Sequence, residues 1–189
     1  MAAERAASLR TIVIWTIGHS SRSWEEFLVL LQSQSIEALA DVRRFAGSRR
    51  YPQFGPERLP PALAAAGISY LPIPELGGRR KASAASPNTI WRNPAFRAYA
   101  DHMQTEEYLR GRERLLQQAA EQRTAIMCSE AVWWRCHRAL IADDLKAIGL
   151  RVLHIMSGQS VVEHPFTTAA RIRNGQLFYG PADSSQEIL

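Results

Sequence analysis

Thr124-Ala125-Ile126-Met127-Cys128-Ser129-Glu130, followed after five residues by Cys136-His137-Arg138, decides how this chain is read. The first four residues form a short apolar run of the kind that makes a buried strand. From Arg138 to Ile148 the apolar residues recur at helical spacing, and Gly149 stops the helix. Both cysteines of the chain, an acid, a histidine and an arginine therefore gather where a strand hands over to a helix. Open α/β sheets place their ligand sites at such handovers.

The same alternation extends in both directions. Strands are expected at Thr11 to Ile17, Ile36 to Val42, Ile68 to Ile73 and Leu150 to Ile155, with a short edge strand at Val161 to Glu163. Ser23 with Glu26 three residues on has capping-box spacing, and Trp24, Phe27, Leu28, Leu30 and Leu31 give the next helix its apolar face. Further helices are expected at Leu63 to Ala66, Phe96 to Met103 and Glu106 to Gln122, with Phe45 to Pro61 a long irregular loop. The pattern predicts an α/β fold: a mostly parallel open sheet of about five strands with helices on both faces. Residues 1–10 read as a tail, 11–168 as one domain, and 169–189 as an extension with a turn at Gly175-Gln176.

Bulk properties narrow the function. The 189 residues suffice for one core, and no apolar run is long enough to span a bilayer, so no membrane partner and a cytoplasmic location are expected. The net charge of +5 comes mainly from arginine, concentrated at Arg43, Arg44, Arg49 and Arg50 and at Arg79, Arg80 and Lys81. Such clusters attract polyanions or simply make a solvated surface. Arg43 to Phe54 interleaves guanidinium groups with Tyr51 and Phe54, a mixture suited to phosphates and stacked bases. There is no GxGxxG or Walker signature, which argues against nucleoside-triphosphate chemistry.

In a parallel sheet the loops after the strands share one edge. That edge would collect Gly18-His19-Ser20-Ser21, Asp41-Val42-Arg43-Arg44, the Glu75-Leu76-Gly77-Gly78 loop and Cys128-Ser129-Glu130. These segments, with Ser48-Arg49, Phe54, Gly67-Ile68-Ser69-Tyr70 and Cys136-His137-Arg138, resemble the signature set of domain-of-unknown-function family 488. The resemblance spans roughly Thr11 to His154 and implies a single α/β domain. It supplies no reaction.

The residues themselves admit several chemistries. Glu130 is the best general acid or base, with Asp41 as a second carboxylate on a neighbouring strand end and His19 in the first turn. Their unremarkable alternatives are an ion pair of Glu130 with Arg138 or Arg43, of Asp41 with Arg43, and a hydrogen-bonded His19. Cys128 is a candidate nucleophile or a buried small hydrophobe. Its spacing to Arg135 exceeds the five intervening residues of cysteine phosphatases by one. Cys128, Cys136 and His137 are weak metal candidates, because no zinc-finger spacing matches and adjacent helical residues point about 100° apart. A reversible disulfide is a further alternative. Substrate contacts are expected from Ser20, Arg43, Arg49, Arg50, Tyr51, Gly77, Gly78, Trp133 and Arg138.

The leading expectation is an enzyme without a cofactor that binds DNA, RNA or a nucleotide and acts on a base or glycosidic linkage, as in repair. The alternatives are a thiol enzyme or redox sensor acting on a small anion, and a metal-binding regulatory module.

Overall fold

A computed structural model describes residues 12–180 except 48, 82, 158, 159, 174 and 175. The N-terminal tail, Thr11, Ser48, Gly175 and the end of the extension lie outside the described residues. Six strands form one sheet in the order β3-β2-β4-β1-β5-β6. They are β1 Val13–Gly18, β2 Ala38–Asp41, β3 Ser69–Pro72, β4 Thr124–Cys128, β5 Arg151–Ser157 and β6 Ser160–Glu163. The first five run parallel, and β6 lies antiparallel on β5. The sheet thus has six strands where about five were expected, the sixth being the short edge strand.

Side-chain alternation sorts the strands onto two cores. Trp15, Ile17, Leu39, Ala125 and Met127 face α1 (Trp24–Ser33) and α2 (Leu59–Ala65), meeting Phe27, Leu30, Leu31, Leu59 and Leu63. Ile14, Ala40, Ile126, Cys128 and Val152 face the opposite layer. That layer is built by α3 (Pro94–His102), α4 (Glu106–Glu121) and α5 (Arg138–Ala147). The expected capping box is present: Ser23 accepts from the Glu26 amide, and the Glu26 carboxylate accepts from the Ser23 amide. Helix α2 begins at Leu59, earlier than expected, because prolines in a first helical turn lose no hydrogen bond they would otherwise donate.

The connections place the site. From β1 the chain crosses β4 on one face through α1 to reach β2. From β4 it crosses β1 on the other face through α5 to reach β5. Two neighbouring strands whose crossovers leave in opposite directions open a crevice at their carboxyl ends. Gly18 and Cys128 are register partners at that point.

A buried polar chain runs through the second layer. The Thr16 hydroxyl meets His154 Nδ1 at 2.7 Å, His154 Nε2 meets His164 Nδ1 at 3.0 Å, and His164 Nε2 meets Asp143 at 3.0 Å. Asp143 also accepts from Thr167 and from the Tyr179 hydroxyl. The segment read as an extension therefore packs onto α5: strands β7 (Arg171–Arg173) and β8 (Gln176–Phe178) pair antiparallel, and Tyr179 enters the core.

Burial, reinforced by the charges of His164 and Arg138, pushes the His154 pKa down from 6.5 to about 2. Burial also lowers His19 and His102. The unfolded chain consequently binds protons near pH 6.5 that the folded chain refuses. This stability is complete above that pH and is lost as pH falls, at about 1.4 kcal/mol per unit for His154 alone. Urea unfolding at pH 7.5, 6 and 5 should show falling midpoints, and His154→Gln should flatten the slope. A midpoint constant over that range would contradict the buried neutral imidazole.

Candidate functional site

The rim is assembled by backbone pairing that continues past the strands. The His19 amide donates to the Cys128 carbonyl at 3.0 Å and the Ser20 amide to Ser129 at 2.9 Å. The Val42 amide donates to the Met127 carbonyl at 3.0 Å. The loops after β1, β2 and β4 are thereby held side by side, as the sequence predicts. Ser20 and Arg79 both adopt left-handed backbone conformations (φ 49° and 58°), which non-glycine residues rarely take up.

Beyond β4 the chain makes a single 3-10 turn, Trp133–Arg135, before α5. Cys136 is extended (φ −130°, ψ 151°) and His137 lies outside the helix proper as its N-cap. The expectation that Cys136 and His137 diverge by a helical step is therefore corrected: the backbone bends between them, and both point to one place. His137 Nδ1 lies 3.5 Å from Cys136 Sγ and 3.9 Å from Cys128 Sγ. His137 Nε2 donates to the Val42 carbonyl at 3.0 Å, which leaves Nδ1 turned toward the two sulfurs. Both cysteines are free thiols and almost completely buried. Hydrogen bonding with Cys136, together with His137 and Arg138, holds the Cys128 thiol well below its usual range despite burial. Burial and the neighbouring Cys128 push Cys136 up.

A cleft of about 270 Å³ opens over this trio, lined also by Arg44, Arg79 and Arg135. A second of about 550 Å³ adjoins it, lined by His19, Ser20, Arg50 and Tyr51. Glu130, Ser129, Arg43, Phe45, Arg79 and Arg135 border both. The Glu130 side chain is exposed at this junction and makes no ion pair among the described residues. Arg44, Arg50, Arg79 and Arg135 are likewise exposed and without a carboxylate partner among the described residues. Phe45, 63% exposed, stands beside them under the Arg44 guanidinium.

Several expected site residues have other work. Asp41 and Arg43 form a buried ion pair, with Arg43 Nη2 to Oδ2 at 2.6 Å and Nε to Oδ1 at 2.9 Å. The Tyr70 hydroxyl also donates to Asp41. With both carboxylate oxygens engaged, Asp41 positions Arg43 instead of moving protons. His19 stacks on Phe54 at 4.3 Å, donates from Nδ1 to the Ser20 carbonyl and accepts from Arg43 at Nε2. Its ring is a buried, neutral prop behind the second cleft. Arg138 is 1% exposed, so it cannot reach a ligand directly. It donates instead to the Glu130 and Ala131 carbonyls and to Thr16. Trp133 stacks on His154 at 4.3 Å and borders neither cleft, while Trp134 is half exposed. Arg49 is exposed and also borders neither cleft. Gly77 lets the Arg44 backbone approach, where a Cβ would meet it at 2.6 Å. Gly78 does the same for the His137 ring at 2.9 Å, and it lines the cleft. Within the second basic run Arg80 is consumed by Glu107 and three carbonyls, which leaves Arg79 for the cleft.

The Thr16–His154–His164–Asp143 chain escaped the sequence reading. Its members are far apart along the chain, and the only signal was a histidine, His154, in the apolar run of β5.

A family model described as domain of unknown function DUF488 matches residues 23–145, well over half of the chain. The chain belongs to this family. No curated protein and no solved structure matches it significantly. The matched span covers β2, β4 and most of the rim, including Cys128, Glu130, Cys136 and His137.

Gly18 is the tightest point of the rim. A Cβ there would collide with the Glu130 carbonyl oxygen and crowd the Arg138 guanidinium. Gly18→Ala should cost about 1–3 kcal/mol in urea unfolding. Gly47→Ala, with nothing within 4 Å of the new carbon, serves as the neutral control. Equal midpoints for the two variants would show that the rim is looser than described.

Proposed function

We propose that this protein is an enzyme acting on a nucleotide or nucleic acid held in the joined clefts, with Glu130 as general acid and base. One observation carries the reading: four exposed guanidiniums without carboxylate partners among the described residues, Arg44, Arg50, Arg79 and Arg135, line the clefts that meet where the bordering carboxylate is Glu130. Cations arranged this way around a concave site focus an attractive field on an anionic ligand. Phe45 and Tyr51 line the second cleft with Arg44 and Arg50 over their rings, the mixture of aromatic and guanidinium groups that suits stacked bases and phosphates. Arg43, fixed by Asp41, borders both clefts. The substrate class follows from this pairing of phosphate-binding charge with aromatic surface. A solvent-accessible carboxylate at the junction is compatible with general acid–base hydrolysis at a base or its glycosidic linkage, the reaction class proposed. The Asp41 carboxylate supports it indirectly by fixing Arg43.

Fluorescence anisotropy with labelled single-stranded DNA, duplex DNA and RNA tests the reading. Four phosphate contacts should make affinity fall about 50- to 150-fold between 50 and 200 mM salt. Arg44→Ala and Arg135→Ala should each lower the logarithmic salt slope by about one, and Glu130→Gln should retain or tighten binding. Absent binding, or binding indifferent to salt, would overturn the proposal.

A further inference from the structure

The geometry points to a metal site: we propose that Cys128, Cys136 and His137 bind one zinc ion whose fourth position opens into the cleft. The three ligand atoms, Sγ, Sγ and Nδ1, lie within 4.8 Å of one another. Zinc bonds of about 2.3 Å to sulfur and 2.0–2.1 Å to nitrogen imply tetrahedral edges of about 3.8 Å between sulfurs and about 3.6 Å from sulfur to nitrogen. The sulfur–nitrogen separations here, 3.5 and 3.9 Å, bracket that edge.

Three further features fit an ion. His137 donates its other ring nitrogen to the Val42 carbonyl, the outer contact that fixes a ligating imidazole's tautomer and direction. Gly78 leaves room for that ring to sit flush at the cleft floor. The trio is set by the end of β4, the extended residue that closes the 3-10 turn and the N-cap of α5. Two thiolates and an imidazole suit zinc over the oxygen-loving magnesium and calcium. All three residues line the same cleft, which gives the remaining coordination position of the proposed site access to it. That is the arrangement of a catalytic zinc site with three protein ligands, as opposed to a closed structural one.

Glu130 stands two residues from Cys128 and borders this cleft without being one of the trio. A zinc-bound water would pass one proton to the Glu130 carboxylate while its oxygen forms a bond to the electrophilic carbon of the substrate. Glu130 would return that proton to the departing nitrogen or oxygen as its bond to carbon breaks. The elements of one water are divided between two products, and nothing is oxidised or reduced. This step rests on the proposed function, whereas metal binding stands without it.

The test uses full-length protein, reduced and stripped with a chelator, then titrated with Co²⁺. Saturation at one equivalent is expected, with intense visible bands of a tetrahedral site and thiolate-to-metal absorption in the near ultraviolet. One equivalent of Zn²⁺ should abolish both. This measurement on the unaltered chain needs no variant to fold. Cys136→Ser and His137→Ala, checked by circular dichroism, should weaken Zn²⁺ binding about 100-fold or more. No thiolate band, a stoichiometry other than one, or undiminished binding in folded variants would overturn the site. So would closure of a Cys128–Cys136 disulfide in place of metal uptake by the reduced protein. Polyanion binding is measured on the same stripped and loaded samples. Its loss with an intact cobalt spectrum would overturn the proposed function alone, and the reverse result would overturn the metal site alone.

Discussion

The rim depends on one buried cation. Arg138 is 1% exposed, and its hydrogen bonds go to the Glu130 and Ala131 carbonyls and the Thr16 hydroxyl, with no carboxylate among them. Removing a guanidinium from water costs several kcal/mol unless its surroundings compensate. Carbonyl oxygens provide part of that compensation, and the field of the cation helps to hold the Cys128 thiol low. In return Arg138 clamps the loop after β4 against β1. The clamp closes because Gly18 has no side chain where the Glu130 carbonyl must pass.

Arginine is abundant in this chain, yet its copies do different jobs. Arg43 is spent on Asp41 and the Phe54 carbonyl, Arg80 on Glu107 and the backbone of its own loop, and Arg138 on the rim. Those three act as internal struts, each exchanging hydration for several fixed acceptors. The charge available to a ligand comes from the remaining exposed guanidiniums. The clustering visible in the sequence thus overstates the ligand-binding charge in both basic runs, while Arg135, outside either run, belongs to the site.

Periodicity was enough to read the frame. The alternation of Ile14, Trp15 and Ile17, the capping box at Ser23 and the stop at Gly149 each follow from local rules, and each holds in the structure. The shared rim was also legible, because parallel strands send their following loops to one edge. What local rules could not supply was the choice among partners. Asp41 had Arg43 within two residues and became its ion pair, so the two carboxylates do not act together. Trp133 found His154, and His154 found His164, through the pairing of β5 with β1 and β6. Helical spacing misled at Cys136-His137 because the helix starts one residue after the pair.

The same displacement gives the site its asymmetry. Had α5 begun before Cys136, the thiol and imidazole would have pointed along different directions and the trio would not converge. The extended Cys136 and the turn at His137 place a soft donor set on the inner side of the cleft. Arg138, donating to the Glu130 carbonyl, holds that residue's backbone at the rim while its side chain stays exposed. The donor set and the Glu130 carboxylate border one opening and share access to whatever enters it. In the proposed reading the labour is divided: the ion held by the donor set activates water, the Glu130 carboxylate carries its proton, and the arginines hold the anion.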